Sequence, residues 1–229
     1  MKIQKVNEVA SIHGLKCLLF GMPGSGKTVM STTTPEPDKT LIVSAESGLL
    51  SIKDSSLDVV VVNDLNTMKE VFEYLIAHPG KYTWLIIDSL SEIAELIMGE
   101  EKASNRDGRQ AYGALADRMI AMCKAYRNLS GLNVVFISKE QQIPDDFLPT
   151  VNQPLFPGAR IGKELPYMMD EVLCLRTRTN EETGEVERMV QCRQDENYPA
   201  IKDRSGKLDT MEPANWAHIY NKINQEVTK

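Results

Sequence analysis

The sequence predicts an α/β fold in which a mostly parallel central sheet is flanked by helices. Short apolar runs rich in β-branched residues alternate with segments of helical periodicity, as in a parallel sheet covered by helices. The centres of these runs are almost continuously apolar, as expected for strands buried on both faces. No repeat or linker divides the 229 residues, so we expect a single domain over residues 1–229. It would consist of a lead (1–14), an α/β core (15–178) and a hairpin with a C-terminal helix (179–229).

The individual elements follow from local patterns. Strands are predicted at residues 16–20, 40–45, 59–62, 84–87 and 134–137. Helices are predicted at residues 27–32, 66–77, 89–98 and 112–129. One stripe of the longest helix is apolar, which indicates core packing, and it consists of Leu115, Met119, Met122 and Tyr126.

The last third of the chain has a different pattern. Residues 172–178 and 187–193 alternate in polarity around a loop that contains Gly184, which predicts an antiparallel hairpin. A short helix is predicted at residues 213–223. Residues 140–166 contain five prolines and show no periodicity, so we expect a long loop there, of the kind that is functional or mobile.

Composition limits the classes of function. The net charge is −6, so any binding of nucleic acid must come from a local basic patch. The four cysteines are far apart and form no C-x-x-C pair, so we expect reduced thiols rather than a zinc site. The apolar runs are too short to cross a bilayer and no signal peptide is visible, which predicts a cytoplasmic protein without membrane contact.

A glycine-rich segment between the first strand and the first helix matches the pattern G-x-x-x-x-G-K-[ST]. Its glycines allow backbone N–H groups to turn onto phosphate oxygens, and the following helix presents its positive end to them. We expect Lys27 to reach the β- and γ-phosphates and the hydroxyl of Thr28 to ligate Mg²⁺. The predicted site for ATP with Mg²⁺ consists of Gly21, Met22, Pro23, Gly24, Ser25, Gly26, Lys27, Thr28 and Val29.

The fourth predicted strand ends in Asp88-Ser89, which is the Walker B pattern. Asp88 would hold Mg²⁺ through its hydration shell and orient Thr28. Hydrolysis also needs a group that orients or activates water, and two glutamates are candidates. Glu46 ends the second strand, where ligands sit in open α/β sheets, whereas Glu92 lies in a first helical turn, where an acid often only stabilises the helix. We favour Glu46 as the catalytic residue.

The order of these parts resembles the RecA recombinase class of P-loop ATPases: a cradle, a catalytic glutamate after the next strand, and an apolar strand that ends in Asp-Ser. The counterparts here are residues 21–28, 44–48 and 86–89. More narrowly, the chain resembles the short phage-encoded RecA-like ATPases, including the Sak-type single-strand annealing proteins, at residues 131–136, 157–158, 163–166, 170–173 and 202–208. The resemblance implies a RecA-like fold and supplies the catalytic role of Glu46.

The same resemblance implies partners. ATP would lie at a subunit boundary of a homo-oligomer, a ring or a filament, that binds single-stranded DNA and anneals strands in phage-type recombination in an infected bacterial cell. A single-stranded DNA-binding protein is a further expected partner. RecA proteins carry a γ-phosphate-sensing glutamine after the fifth strand, and here Lys139 or Gln141 could take that role. The alternative is a nucleotide-switched accessory ATPase, such as a helicase loader, that acts mainly on a protein partner.

In RecA-like proteins two loops after the fourth and fifth strands face single-stranded DNA, and here they would be residues 100–110 and 141–166. Phe147 and Phe156 could stack on bases, and the basic residues of the loops are Lys102, Arg106, Arg109, Arg160 and Lys163. The alternative is an ordinary solvated loop of mixed charge. Residues that could instead reach the γ-phosphate of a neighbouring subunit are Arg160, Lys163, Lys202, Arg204 and Lys207, and the last three could also contact DNA.

Overall fold

The structure, a computed structural model, describes residues 3, 5, 13–46, 48–105, 107–144, 150–181 and 183–225. The strands are β1 (Lys16–Gly21), β2 (Thr40–Ser44), β3 (Asp58–Val61), β4 (Trp84–Asp88), β5 (Asn133–Ile143), β6 (Val151–Pro154), β7 (Glu171–Thr179), β8 (Val186–Gln191), β9 (Lys202–Asp203) and β10 (Met211–Pro213). The helices are α1 (Lys27–Met30), α2 (Leu65–Ala77), α3 (Leu90–Ser104), α4 (Gly108–Arg127), α5 (Ala159–Met168) and α6 (Trp216–Asn224).

The sheet has the strand order β10-β8-β7-β1-β5-β4-β2-β3. The six strands from β7 to β3 are parallel, and β8 and β10 continue the sheet in antiparallel fashion. This arrangement confirms the predicted fold class, including the antiparallel C-terminal hairpin. Strand β5 lies between β1 and β4, so its end lies between the glycine-rich segment and Asp88. In parallel sheets this carboxyl edge is where ligands bind.

Helices cover both faces of the sheet because alternate strand residues point to opposite faces. On one face Leu18 and Ile87 pack in a cluster with buried residues of α2, α3 and α4, including Met119 from the predicted apolar stripe. On the other face α1 and α6 cover the sheet, and the ring centroids of Trp84 and Trp216 are 6.1 Å apart. None of the helices in the described ranges is long and apolar enough to cross a membrane.

The prediction of a long loop at residues 140–166 is wrong. Strand β5 continues to Ile143 and pairs with β6, and α5 follows from Ala159. Strand β6 has only four residues, Val151–Pro154, and two of them are polar, so it shows no apolar alternation that would predict a strand. Helix α5 is short and buries only Ile161 and Leu165, which are four residues apart on one face.

The predicted loop at residues 100–110 is also mostly helical. Helix α3 runs to Ser104 and α4 begins at Gly108, whose N-cap Asp107 accepts a hydrogen bond from the backbone N–H of Arg109 at 2.9 Å. Arg118 of α4 donates to the carboxylates of Glu100 and Glu101 on α3, at 2.8 and 2.7 Å. These ion pairs join α3 and α4 where a loop was predicted. Contacts of this kind are not visible in the periodicity of the sequence.

Strand β3 differs from the expectation that every predicted strand is buried on both faces. It is the last strand on its side of the sheet, and Val59 and Val61 are exposed. An edge strand needs fewer apolar contacts than a central one, so an apolar run alone does not distinguish the two positions.

Candidate nucleotide site

The glycine-rich loop joins β1 to α1 at the carboxyl edge of the sheet. Gly24 and Gly26 have φ values of 74° and 100°, which lie in the left-handed region that favours glycine. A Cβ atom at Gly21 would lie 2.6 Å from the carbonyl oxygen of Leu175 on β7. The three glycines are therefore required by backbone conformation or by close packing, independently of any ligand.

Lys27 is held against the beginning of its own loop. Its Nζ donates hydrogen bonds to the carbonyl oxygens of Gly21, at 2.7 Å, and Met22, at 3.0 Å. Burial lowers the pKa of Lys27, and the nearby carboxylates of Asp88 and Glu46 oppose that shift. Among the described residues, the ammonium group has only neutral partners within hydrogen-bond distance, so an anionic ligand could replace them favourably.

Thr28 and Asp88 meet across the gap between α1 and β4. The hydroxyl of Thr28 donates to the Asp88 carboxylate over 2.6 Å, and Asp88 is almost completely buried. Burial raises the pKa of Asp88, while the hydrogen bond from Thr28 lowers it. A hydroxyl and a carboxylate are the oxygen ligands that Mg²⁺ takes in P-loop sites, so this pair fits the predicted metal.

The two candidate catalytic glutamates lie on either side of Lys139. Glu46 accepts a hydrogen bond from the hydroxyl of Ser89 at 2.5 Å, and Glu92 accepts one from the Lys139 ammonium group. The Lys139 Nζ also lies 3.9 Å from Glu46. The structure therefore brings both glutamates to the site, and Glu46 is the one whose carboxylate is fixed by the residue next to Asp88.

The two sensor candidates occupy different positions on β5. Lys139 is the parallel partner of Gly21, which places it beside the cradle, and its pairing with Glu92 raises its pKa. Gln141 lies farther along, where β5 pairs with β6, and its side chain donates to the carbonyl oxygen of Pro154 at 3.4 Å. The role of a γ-phosphate sensor stays a prediction for both.

Two residues near the cradle were not found from the sequence. Glu140 is buried on β5, where it accepts hydrogen bonds from Cys174, at 3.7 Å, and Tyr198, at 3.4 Å; burial raises its pKa. Arg188 of β8 donates from its Nε to the carbonyl oxygen of Ser25 at 3.2 Å. Glu140 could have been suspected as an acid next to Lys139, whereas the position of Arg188 depends on the pairing of β7 with β1, which are distant in sequence.

The residues predicted to contact DNA have separate environments. Arg106 and Phe147 lie outside the described residues. Phe156 is buried in the core, so the prediction that it stacks on bases is wrong. Arg160 forms ion pairs with Asp117 and Glu164, both at 2.7 Å. Arg109 and Lys163 are exposed on α4 and α5.

The late basic residues are bound within the chain. Lys202 donates to the carbonyl oxygens of Pro166 and Met169 at 2.7 and 2.5 Å. Arg204 forms an ion pair with Asp170 at 2.7 Å. Lys207 donates to two carbonyl groups at the end of α6, those of Ile223 at 2.6 Å and Gln225 at 2.5 Å. Their contacts with DNA or with a neighbouring subunit stay predictions.

Comparison with known proteins identifies a family for the chain. The family model described as AAA domain matches residues 13–205. Among solved structures, a KaiC-like protein from the archaeon Pyrococcus horikoshii OT3 is similar, with 16% identity, a TM-score of 0.41, and coverage of 78% of this chain and 77% of that chain. No curated protein sequence matches the chain.

Proposed function

Because the chain belongs to the AAA domain family, we propose that it is an ATPase that binds ATP with Mg²⁺ in the cradle at residues 21–29 and hydrolyses it. The observation that carries this proposal is the 2.6 Å hydrogen bond between Thr28 and Asp88 beside the ammonium group of Lys27. It brings the two Mg²⁺ ligands and the phosphate-binding cation to one place, although 60 residues separate Thr28 from Asp88.

The roles of the chain's own residues follow from their present partners. Lys27 exchanges the carbonyl oxygens of its loop for phosphate oxygens, which are stronger acceptors because they are charged. Thr28 would hold Mg²⁺ directly and Asp88 through its hydration shell, and the metal would neutralise charge on the phosphate oxygens. Glu46 orients the attacking water and accepts its proton, and the hydroxyl of Ser89 fixes the Glu46 carboxylate.

Lys139 has a separate proposed role beside the γ-phosphate. Its ammonium group holds Glu92 and lies 3.9 Å from Glu46. An anionic γ-phosphate near this edge competes with both carboxylates for the same cation. Movement of Lys139 toward the phosphate would release Glu92, and this exchange would report the presence of ATP to α3.

We further propose that the protein acts as a homo-oligomer on single-stranded DNA, by strand annealing. The resemblance to Sak-type proteins supports this proposal, together with one surface feature. Arg109 and the exposed Tyr112 are three residues apart on the first turns of α4, and α5, which carries Lys163, packs against α4. Cations beside an exposed aromatic ring are the usual elements of a site for single-stranded nucleic acid.

The alternative is an accessory ATPase that acts on a protein partner. It is favoured by the ion pairs of Arg160 and Arg204, which neutralise positive charge that DNA would need, and by the Lys202 ammonium group, which is already bound to main-chain carbonyl oxygens. The net charge of −6 points in the same direction.

A binding measurement with a labelled oligonucleotide, with and without MgATP, separates the two functions. The DNA proposal predicts ATP-dependent binding that weakens with salt, because phosphate contacts release counterions. The double variant Arg109→Ala, Tyr112→Ala should lose most of this affinity and keep ATP binding, whereas the exposed control Lys53→Ala should keep both. No DNA binding at low salt in either nucleotide state would reject the DNA role and leave the accessory ATPase.

A further inference from the structure

The β7–β8 hairpin covers one side of the cradle. The carbonyl oxygen of Leu175 on β7 lies so close to Gly21 that no side chain fits between them. Across the hairpin, Arg188 on β8 pairs with Thr177 on β7 and reaches over the loop. The hairpin therefore contributes both a wall and a cation to the nucleotide site.

Arg188 is anchored to the loop by one end of its guanidinium group. Its Nε donates to the carbonyl oxygen of Ser25 at 3.2 Å, and a Cβ atom at Gly26 would lie only 2.8 Å from that Nε. The two terminal nitrogens of Arg188 have no hydrogen-bond partner among the described residues, and the side chain is exposed. The hydrogen bond of Nε to Ser25 restricts where the two terminal nitrogens can lie.

The charge of Arg188 is not neutralised within the described part of the chain. Arg118, Arg160 and Arg204 each form an ion pair with a carboxylate, but Arg188 forms none. Its guanidinium group touches Gly26, the residue immediately before Lys27. An unpaired arginine beside a site for polyphosphate can give two parallel hydrogen bonds to phosphate oxygens, a geometry that lysine cannot reproduce.

We propose that Arg188 binds the phosphate chain of ATP in the same subunit, through its two terminal nitrogens, while its Nε remains on Ser25. This inference rests on the proposed function, because it requires that ATP occupies the cradle. Arg188 is thus a further cationic phosphate ligand besides Lys27 and Lys139, and it connects the β7–β8 hairpin to the occupancy of the site. The structure supplies it in cis, independently of any neighbouring subunit.

The test measures the dissociation constants of MgATP and of inorganic triphosphate by titration calorimetry for the unaltered chain and three variants. Arg188→Ala should weaken binding of both ligands by about tenfold, the lower part of the range for a charge-assisted hydrogen-bond pair. Arg188→Lys should recover only part of this loss, because it keeps the charge and loses the planar fork. Arg178→Ala is the matched control, since Arg178 is exposed on the same hairpin opposite Glu187, and it should bind both ligands as the unaltered chain does.

Three results would overturn the role of Arg188. They are an unchanged affinity of Arg188→Ala for MgATP, an equal loss in Arg178→Ala, and a loss for MgATP without any loss for triphosphate. The last result would mean that Arg188 acts on the nucleoside rather than on the phosphates. Failure of the unaltered chain to bind MgATP has a different meaning, because it would reject the proposed function itself. Circular dichroism spectra should coincide for all four proteins, since the Arg188 side chain is exposed and makes a single hydrogen bond among the described residues.

Discussion

The two edges of the parallel sheet are both rich in charged side chains, but their charges have different partners. At the carboxyl edge lie Lys27, Asp88 and Lys139, whose partners are loop carbonyls and side chains. At the amino edge lie Lys16 and Glu171, and both are buried. The Lys16 Nζ donates to the carbonyl oxygens of Leu132 and Leu129 at 2.5 and 3.2 Å, and burial lowers its pKa to about 8.

This difference shows why charge in a sequence does not by itself identify a ligand site. The partners of Lys16 and Lys202 are main-chain carbonyl groups at the amino edge, and an anion there would have to replace them without the backbone N–H groups of the glycine-rich loop. The partner of Thr28 is a side chain that can share a metal with it, and the loop around Lys27 has N–H groups for phosphate. Position at the carboxyl ends of the strands, rather than charge, separates the two edges.

The largest expected effect tests whether the carboxyl edge alone binds nucleotide. Lys27→Ala should lower ATP hydrolysis by about two orders of magnitude or more, because the phosphate charge loses its main cation. Lys202→Ala, at the amino edge, should hydrolyse ATP at the unaltered rate. Phosphate release from purified proteins measures both. Full activity in Lys27→Ala would refute the cradle assignment, and equal losses in the two variants would remove the distinction between the edges.

The next effect separates the two glutamates within the carboxyl edge. Glu46→Gln should keep ATP binding while hydrolysis falls by about a hundredfold or more, because the amide cannot accept a proton from water. Glu92→Gln removes only a partner of Lys139 and should reduce hydrolysis less. Single-turnover rates with bound ATP make the comparison. A large loss in Glu92→Gln with an active Glu46→Gln would transfer the catalytic role to Glu92.

A pH effect is expected at the amino edge. Burial and the neighbouring Asp203 raise the pKa of Glu171 to about 8, from an ordinary 4.5. Between these values the folded chain retains a proton that the unfolded chain releases, so this group lowers stability as pH rises from 4.5 to 8. Glu171→Gln should remove that slope and raise the Tm at pH 8 by about 4 °C, roughly 1–2 kcal/mol for a domain of this size.

Thermal unfolding between pH 5 and pH 8 measures the effect of Glu171→Gln. The exposed variant Glu187→Gln serves as the control and should follow the unaltered chain at every pH. Parallel curves for Glu171→Gln and the unaltered chain would show that Glu171 is ionised in the folded state, contrary to this prediction.

The smallest expected effect is on the C-terminal segment. Lys207→Ala removes the donor to the carbonyl groups of Ile223 and Gln225 at the end of α6, and should lower the Tm by about 2 °C, as for loss of a helix-terminal contact of about 0.5–1 kcal/mol. MgATP affinity should not change. Differential scanning calorimetry and the same ATP titration test this pair of outcomes. A weakened affinity for MgATP would place Lys207 in the function of the carboxyl edge after all.

The central strands and the cradle could be predicted from the sequence because both are local features. Strand β4 differs from its prediction by one residue, since a strand buried on both faces is a continuous apolar run. The hairpin β5–β6, the burial of Phe156 and the position of Arg188 could not be predicted. The burial of Phe156 and the position of Arg188 depend on contacts between segments distant in sequence, as where the Arg188 side chain reaches Ser25, 163 residues away. Among the site residues, those missed from the sequence are the ones that long-range pairing brings to the cradle.

The packing of α6 against the sheet also gives the protein a built-in optical probe. The chain has two tryptophans, Trp84 and Trp216; both are buried, and their ring centroids are 6.1 Å apart. Trp84 begins the strand that ends in Asp88, about 13 Å away along β4. The wavelength of intrinsic tryptophan emission therefore depends on whether α6 is packed against β4. A red shift of this emission during denaturation would show when the C-terminal helix leaves the sheet, and the measurement needs no added label.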